Sequence, residues 1–290
     1  MQLDIFNDSR DVMMRNDVLS ALQQYDAAAA RRALHVLEND YPEDDALVQL
    51  GLIADALEAR STAPFGDHRT VLDASHSLST RLQPAVSCMF PRASSAGWLA
   101  PLWAELAGRA AALPFCAEHA DAHSASLLLL AARWAEAEQA VLRIDSWRRI
   151  PAPLGWMAQA RYRIDGLDAA WPLLIELAWL SPSLFDHLLG RLGDMSLGAM
   201  RRSFDASFDG EGDTGDLAWF PAWVLTEKPG LTPLFRQAES TRRNAPERAF
   251  KLVLELLSLE RQGRHHELLQ TRRELQSLSA AVYAAYMKTR

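Results

Sequence analysis

The stretch RIDGLDAAWPLLIELAWLSPSL, Arg163–Leu184, decides how the rest of the chain reads. Gly166 interrupts one run of helical periodicity and Asp168 opens the next. Ala170, Leu174 and Leu177 then fall at i, i+4 and i+7, on one face of a helix. Pro182 ends that helix, because proline has no N–H to donate and pushes the preceding residue away from helical geometry. A small residue followed by two large ones suits a close backbone approach with a filled layer beside it. The stretch therefore predicts the second half of an antiparallel helical hairpin, about Leu154–Ile164 followed by Asp168–Leu180.

The same pattern recurs outward from this point. Ala137, Val141 and Ile144 repeat as Ala170, Leu174 and Leu177, displaced by 33 residues. Ala30, Leu34 and Leu37 repeat it again, with Pro42 following Leu37 as Pro182 follows Leu177. Ala125 and Ala158 each stand twelve residues before the small residue of their own hairpin. The remaining chain is also helical in periodicity, with almost no apolar–polar alternation, so the fold class is all-α. A first hairpin is expected over Asp11–Tyr41, with Val12, Val18, Leu19 and Leu22 turned inward and a turn at Tyr25-Asp26. A helix over Glu43–Ala59 should bury Leu47, Leu50, Ile53 and Leu57. Further helices are expected over Leu99–Leu113, His119–Ala132, Trp134–Ile144, Thr232–Arg243, Pro246–Arg261 and His265–Leu278. Asn244 is the cap expected before Pro246, and Val282, Tyr283, Tyr286 and Met287 should close the C-terminal end.

With a period near 34 residues and a small–large–large–proline second helix, the chain resembles the tetratricopeptide repeat. The resemblance covers Asp121–Pro182 best, then Asp11–Pro42, then Leu252–Leu278, where Gly263 precedes Leu268 and Leu275. It departs from the family in the first helices, where Ser124-Ala125 and Met157-Ala158 stand in place of the aromatic and Leu-Gly signature. The resemblance implies an α-α superhelix of stacked antiparallel hairpins whose first helices line a concave face. Gln159, Tyr162 and Arg163 would project there from one hairpin, and His119, His123 and Ser126 from the preceding one.

Residues 1–290 are read as a single helical-repeat domain. Residues 1–60 form a hairpin plus a helix, and 61–97 an irregular connection marked by prolines at 64, 84 and 91 with at most a helix near Thr70–Leu82. Residues 98–200 carry the best-formed repeats, 201–230 an acidic loop and a tryptophan-rich segment, and 231–290 the C-terminal helices and cap. In the loop, SFDASFDGEGDTGD, Asp209, Glu211, Asp213 and Asp216 invite a calcium reading. An EF-hand counted from Asp209 would need glycine where Thr214 stands and glutamate where Phe220 stands, so the pattern fails.

A chain that is 49% hydrophobic and 23% charged can bury a core without disulfides, and two cysteines are too few for a disulfide framework. Free thiols, no signal-like or membrane-spanning apolar run and a cytoplasmic location are expected. The net charge of −7 argues against a general affinity for nucleic acid, despite pairs such as Arg148-Arg149 and Arg242-Arg243. Arginine outnumbers lysine 27 to 3, the bias of a GC-rich bacterial coding sequence. There is no Gly-rich phosphate loop, no G-x-S-x-G and no H-E-x-x-H, so no cofactor and no catalytic residue is expected.

Three functional readings follow. The first is a non-enzymatic scaffold binding a protein or peptide through Ser126, Gln159, Tyr162 and Arg163, with Trp219 and Trp223 as a second aromatic face beside Pro221. The second is a helical metalloprotein or enzyme: Cys116, His119 and His123, at i, i+3 and i+7 of one continuous helix, would share a face suited to zinc. The third is a structural subunit of an oligomer.

Overall fold

In the computed structural model, which describes residues 3–239 and 244–290 and the side chains from Arg10 onward, every regular element is helical. Seventeen α-helices and no strand occur among the described residues. None of these helices is long and apolar enough to cross a membrane. The contacts gather into two compact units, one ending at Arg133 and the other beginning at Trp134.

In the first unit, α1 (Leu3–Gln23) and α2 (Ala27–Asp40) form the expected hairpin. Tyr25 makes the turn in the left-handed region, φ +57°, and Asp26 caps α2 by accepting from the Ala29 N–H at 2.8 Å. α3 (Leu47–Glu58) follows. Val18, Leu22, Ala30, Leu34, Leu37, Leu50, Ile53 and Leu57 are buried, with Leu19 and Leu47 at the edge of the core. Val12 is 47% exposed, contrary to expectation, because it lies off the stripe that Met14, Val18 and Leu22 define on α1.

The segment expected to be irregular, 61–97, is largely helical. Asp67 caps α4 (His68–Ser77) through the Thr70 N–H at 2.8 Å. A π-type turn spans Leu78–Leu82, α5 runs Gln83–Met89, and α6 (Arg92–Ala110) begins directly after Pro91. Of the prolines read as breaks, Pro91 stands at a helix start, where a missing N–H costs nothing, and Pro84 lies within a continuous helical path. Trp98 of α6 stacks on Tyr25 with ring centroids 5.3 Å apart, and its Nε1–H donates to the Leu22 carbonyl at 2.9 Å. The Tyr25 hydroxyl in turn donates to the Trp98 carbonyl at 2.6 Å, and burial raises its pKa. A 3₁₀ turn over Ala117–Ala122 and a short α7 (Ser124–Leu130) replace the single helix expected over His119–Ala132.

The second unit opens with α8 (Trp134–Leu142) and continues into α9 (Pro151–Asp165) and α10 (Leu167–Leu180). Gly166, at φ +83°, sits between α9 and α10, and its N–H closes α9 on the Tyr162 carbonyl at 3.0 Å. Ser181 ends α10 and caps α11 (Pro182–Leu192), so Pro182 both stops one helix and starts the next. Asp194 caps α12 (Met195–Ser207) through the Leu197 N–H at 2.8 Å. The acidic segment is therefore helical as far as Ser207, later than expected. A 3₁₀ turn spans Thr214–Trp219, followed by α13 (Phe220–Glu227) and a single turn, α14 (Thr232–Phe235). The helix expected over Thr232–Arg243 ends at that turn, and Arg242-Arg243 lie outside the described residues.

Asn244 caps α15 (Ala245–Gln262) as expected, accepting from the Glu247 N–H at 2.9 Å. α16 (His265–Leu278) packs back on it, and α17 (Ala280–Lys288) buries Val282 and Tyr286. The Tyr286 hydroxyl donates to Glu260 and accepts from Arg272 at 3.2 Å. Tyr283 is half-buried and Met287 exposed, so only one side of α17 closes the end.

Candidate binding site

The first unit contains a cleft of about 430 Å³ between α3, α6 and the α4–α5 run. Its origin is local. Pro84 follows a continuous helical path, and in α geometry its ring would meet the carbonyl of Thr80. The turn widens instead, and the Gln83 N–H donates to the Leu78 carbonyl five residues back. The Ser79 and Thr80 hydroxyls donate to the carbonyls of Ser75 and His76 at 2.9 and 2.7 Å, within the preceding helical turn. Ser77, Leu78, Arg81 and Leu82, all in or beside the widened turn, line the cleft. Helical π-bulges recur at functional sites.

The floor is apolar: Leu78 and Leu82 face Leu102 and Leu106 from α6, all four buried, with Leu52 from α3. The rim is charged, and most of its charges are already satisfied. Asp55 pairs with Arg31, which also pairs with Glu58 at 2.7 Å. Glu105 pairs with Arg60 at 2.7 Å and accepts from the Ser61 N–H at 2.9 Å. Arg109 donates through Nε to the Ala63 carbonyl at 2.8 Å and lies 3.9 Å over the Phe65 ring. Arg81 is exposed and has no ion pair among the described residues. The signal that could have located this cleft is Pro84 late in a helical run, preceded by the hydroxyl residues Ser77, Ser79 and Thr80.

The residues expected to bind a partner lie elsewhere. Gln159 is buried and its Oε1 accepts from Arg191. The Tyr162 hydroxyl, whose pKa burial raises, donates to Asp194 at 2.9 Å. Arg163 reaches the carbonyls of Arg191 and Leu192 at 3.5 Å, with its guanidinium 5.8 Å from the Trp134 ring. The fold thus brings these three together, on the last turns of α9, against the junction of α11 and α12. Ser126 is half-buried on α7 in the other unit. Trp223 is buried, its ring 5.5 Å from Phe204 and 6.1 Å from Phe220, while Trp219 is half-buried at the end of its 3₁₀ turn. The two tryptophans therefore do not present one open aromatic face.

The metal reading rested on one continuous helix through Cys116, His119 and His123, and that helix is absent. His119 departs from helical geometry at φ −126°, ψ 40°, and His123 is extended at ψ 142°. His123 is buried, its Nδ1 accepting from the Ala125 N–H at 3.2 Å, so it starts α7 instead of lying within a helix. His119 packs at 5.9 Å from His68, whose Nε2 is 2.9 Å from the Pro114 carbonyl. Among the described residues no three His, Cys, Asp or Glu side chains are grouped closely enough to hold a metal ion. In the acidic loop, the carboxylate of Asp216 accepts from the Glu211 and Gly212 N–H groups at 3.1 and 2.7 Å, and Asp213 accepts from Gly215 at 2.7 Å. Two of the four loop carboxylates are thus engaged in fixing the turn.

Compared with known protein families, curated proteins and solved structures, the chain matches none of them.

Proposed function

We propose that the chain is a non-enzymatic helical-repeat scaffold that binds a protein or peptide, built as stacked antiparallel hairpins of the tetratricopeptide kind. The observation that supports this reading is the tie between consecutive first helices of the second unit. α9 and α10 pair as one hairpin, α11 packs against both, and Gln159, Tyr162 and Arg163 join α9 to the end of α11 and the cap of α12. Hairpins held in this way form a rigid frame whose outer side chains are free to select a partner. The net charge of −7 favours a protein or peptide over nucleic acid.

Ile164 and Met195, 43% and 87% exposed beside that tie, are the places to look for a partner. A photo-reactive side chain at either position should give one discrete protein adduct in cells. Unlabelled chain should compete it away, and Met195→Asp should remove it. Absence of a discrete adduct from both positions, or adducts indifferent to Met195→Asp, overturns the reading.

A further inference from the structure

We propose that the cleft between α3, α6 and the π-type turn binds an amphipathic monoanion: an apolar chain or ring ending in one carboxylate, with the apolar part on the leucine floor and the carboxylate on Arg81. This goes beyond the partner-binding reading and rests on the first unit alone.

Size and chemistry converge on this class. At about 430 Å³ the cleft lies within the range of small-ligand sites, which pair an apolar lining with a few polar groups that fix orientation. Leu78, Leu82, Leu102 and Leu106 offer such a lining. The charge pattern above it is selective. Both acids of the lining, Asp55 and Glu105, are already engaged in ion pairs, Asp55 with Arg31, which it shares with Glu58, and Glu105 with Arg60, so a cationic ligand finds no unpaired carboxylate. Arg109 is held against Ala63 and Phe65. Arg81 remains, with no ion pair among the described residues and a place in the same wall as Leu78 and Leu82. A guanidinium matches a carboxylate in a forked pair of hydrogen bonds, stronger than a neutral contact. One unpaired cation selects one negative charge.

The carboxylate could belong to a free small acid or to the C-terminus of a peptide, and the test separates these sources. Octanoate, octanol and octylammonium are titrated calorimetrically into the full chain. Octanoate should saturate a single site, with octanol and octylammonium at least about tenfold weaker. Arg81→Gln, a change at an exposed position, should erase the preference for octanoate over octanol, and Arg81→Glu should reverse it in favour of octylammonium. Ala59→Trp, on the exposed rim, should weaken all binding while circular dichroism stays unchanged. Acetyl-trileucine with a free C-terminus binding better than its amide points to a chain end as the source; octanoate binding alone points to a free acid. Equal binding of octanoate and octanol, a preference that survives Arg81→Gln, or failure of every carboxylate probe to saturate overturns the proposal.

Discussion

Proline acts differently at two places in the molecule. Around α9, α10 and α11, Pro151, Pro153 and Pro182 occupy first helical turns and mark boundaries, while Pro172 lies inside α10, which stays α-helical. In the first unit Pro84 falls where the chain is already helical, and the helix widens into a π-type turn without stopping. The first use yields a tightly packed hairpin; the second opens a cleft. The hairpin also buries the carboxylate of Glu176 in an ion pair with half-buried Arg148 from the turn before α9, whereas the charges at the cleft remain on its rim. Prolines at helix starts thus frame a packed hairpin, while the wider turn beside Pro84 lines a cleft with room for a ligand.

The largest expected effect is at that ion pair. The carboxylate of Glu176, on α10, accepts two bonds from Arg148 at 2.6 Å and a third from the Glu239 N–H at 2.6 Å. Burial is the dominant influence and pushes the Glu176 pKa up, against the pull of Arg148. Arg148→Met leaves that carboxylate buried and unpaired, which should cost about 3–5 kcal/mol at neutral pH in a denaturant melt. With its folded pKa raised, Glu176 favours the folded state in its protonated form. Its stabilising contribution is present at low pH and lost as pH rises through the folded pKa. The deficit of Arg148→Met relative to wild type should therefore shrink on acidification. A deficit that instead grows as pH falls contradicts the assignment.

Next comes the hairpin register. Ala170 is fully buried, and Ala170→Leu should cost roughly 1–3 kcal/mol by forcing neighbours off their rotamers. A neutral result would place the close approach of the hairpin elsewhere.

That register was the most legible part of the chain. Ala30, Leu34, Leu37, Ala137, Val141, Ile144, Ala170, Leu174 and Leu177 are all buried, because a 3.6-residue period with one small residue per hairpin leaves little choice of face. Segment 61–97 was misread because proline is ambiguous: at a helix start it costs nothing, and within a run it can be absorbed by a wider turn. His123 was misplaced because three residues at helical spacing share a face only if the helix is continuous, and a side-chain cap broke it. The sequence marks the widened turn only through Pro84 and the hydroxyl residues before it, and not the cleft floor, since Leu52, Leu78 and Leu102 are brought together only by tertiary packing.

Removing the proline tests the contrast directly. Pro84→Ala removes the ring that would meet the Thr80 carbonyl in α geometry and should let the turn tighten toward a regular α-helix. Stability should change by no more than about 1 kcal/mol, because improved local propensity is offset by repacking of Leu78 and Leu82. The cleft should close in part, and octanoate binding should fall. Unchanged binding with a regular helix would show that the widened turn does not shape the site.

The smallest expected effect returns to the hairpin. Gly155 lies within α9, and a methyl group there would meet Leu184 Cδ2 at 3.5 Å and Leu177 Cδ2 at 3.7 Å, ordinary van der Waals distances. Alanine is favoured over glycine in a helix interior by up to about 1 kcal/mol. Gly155→Ala should therefore leave stability unchanged or raise it by a few tenths to about 1 kcal/mol, the added methyl also gaining contact with two leucines. A loss of more than about 1 kcal/mol in the same melt would mean that α9 approaches α10 and α11 more closely than these distances allow, and that glycine, like Ala170, is required by the packing. A gain would confine the tight contact to Ala170 and its neighbours and make Gly155 a tolerant position in an otherwise demanding interface.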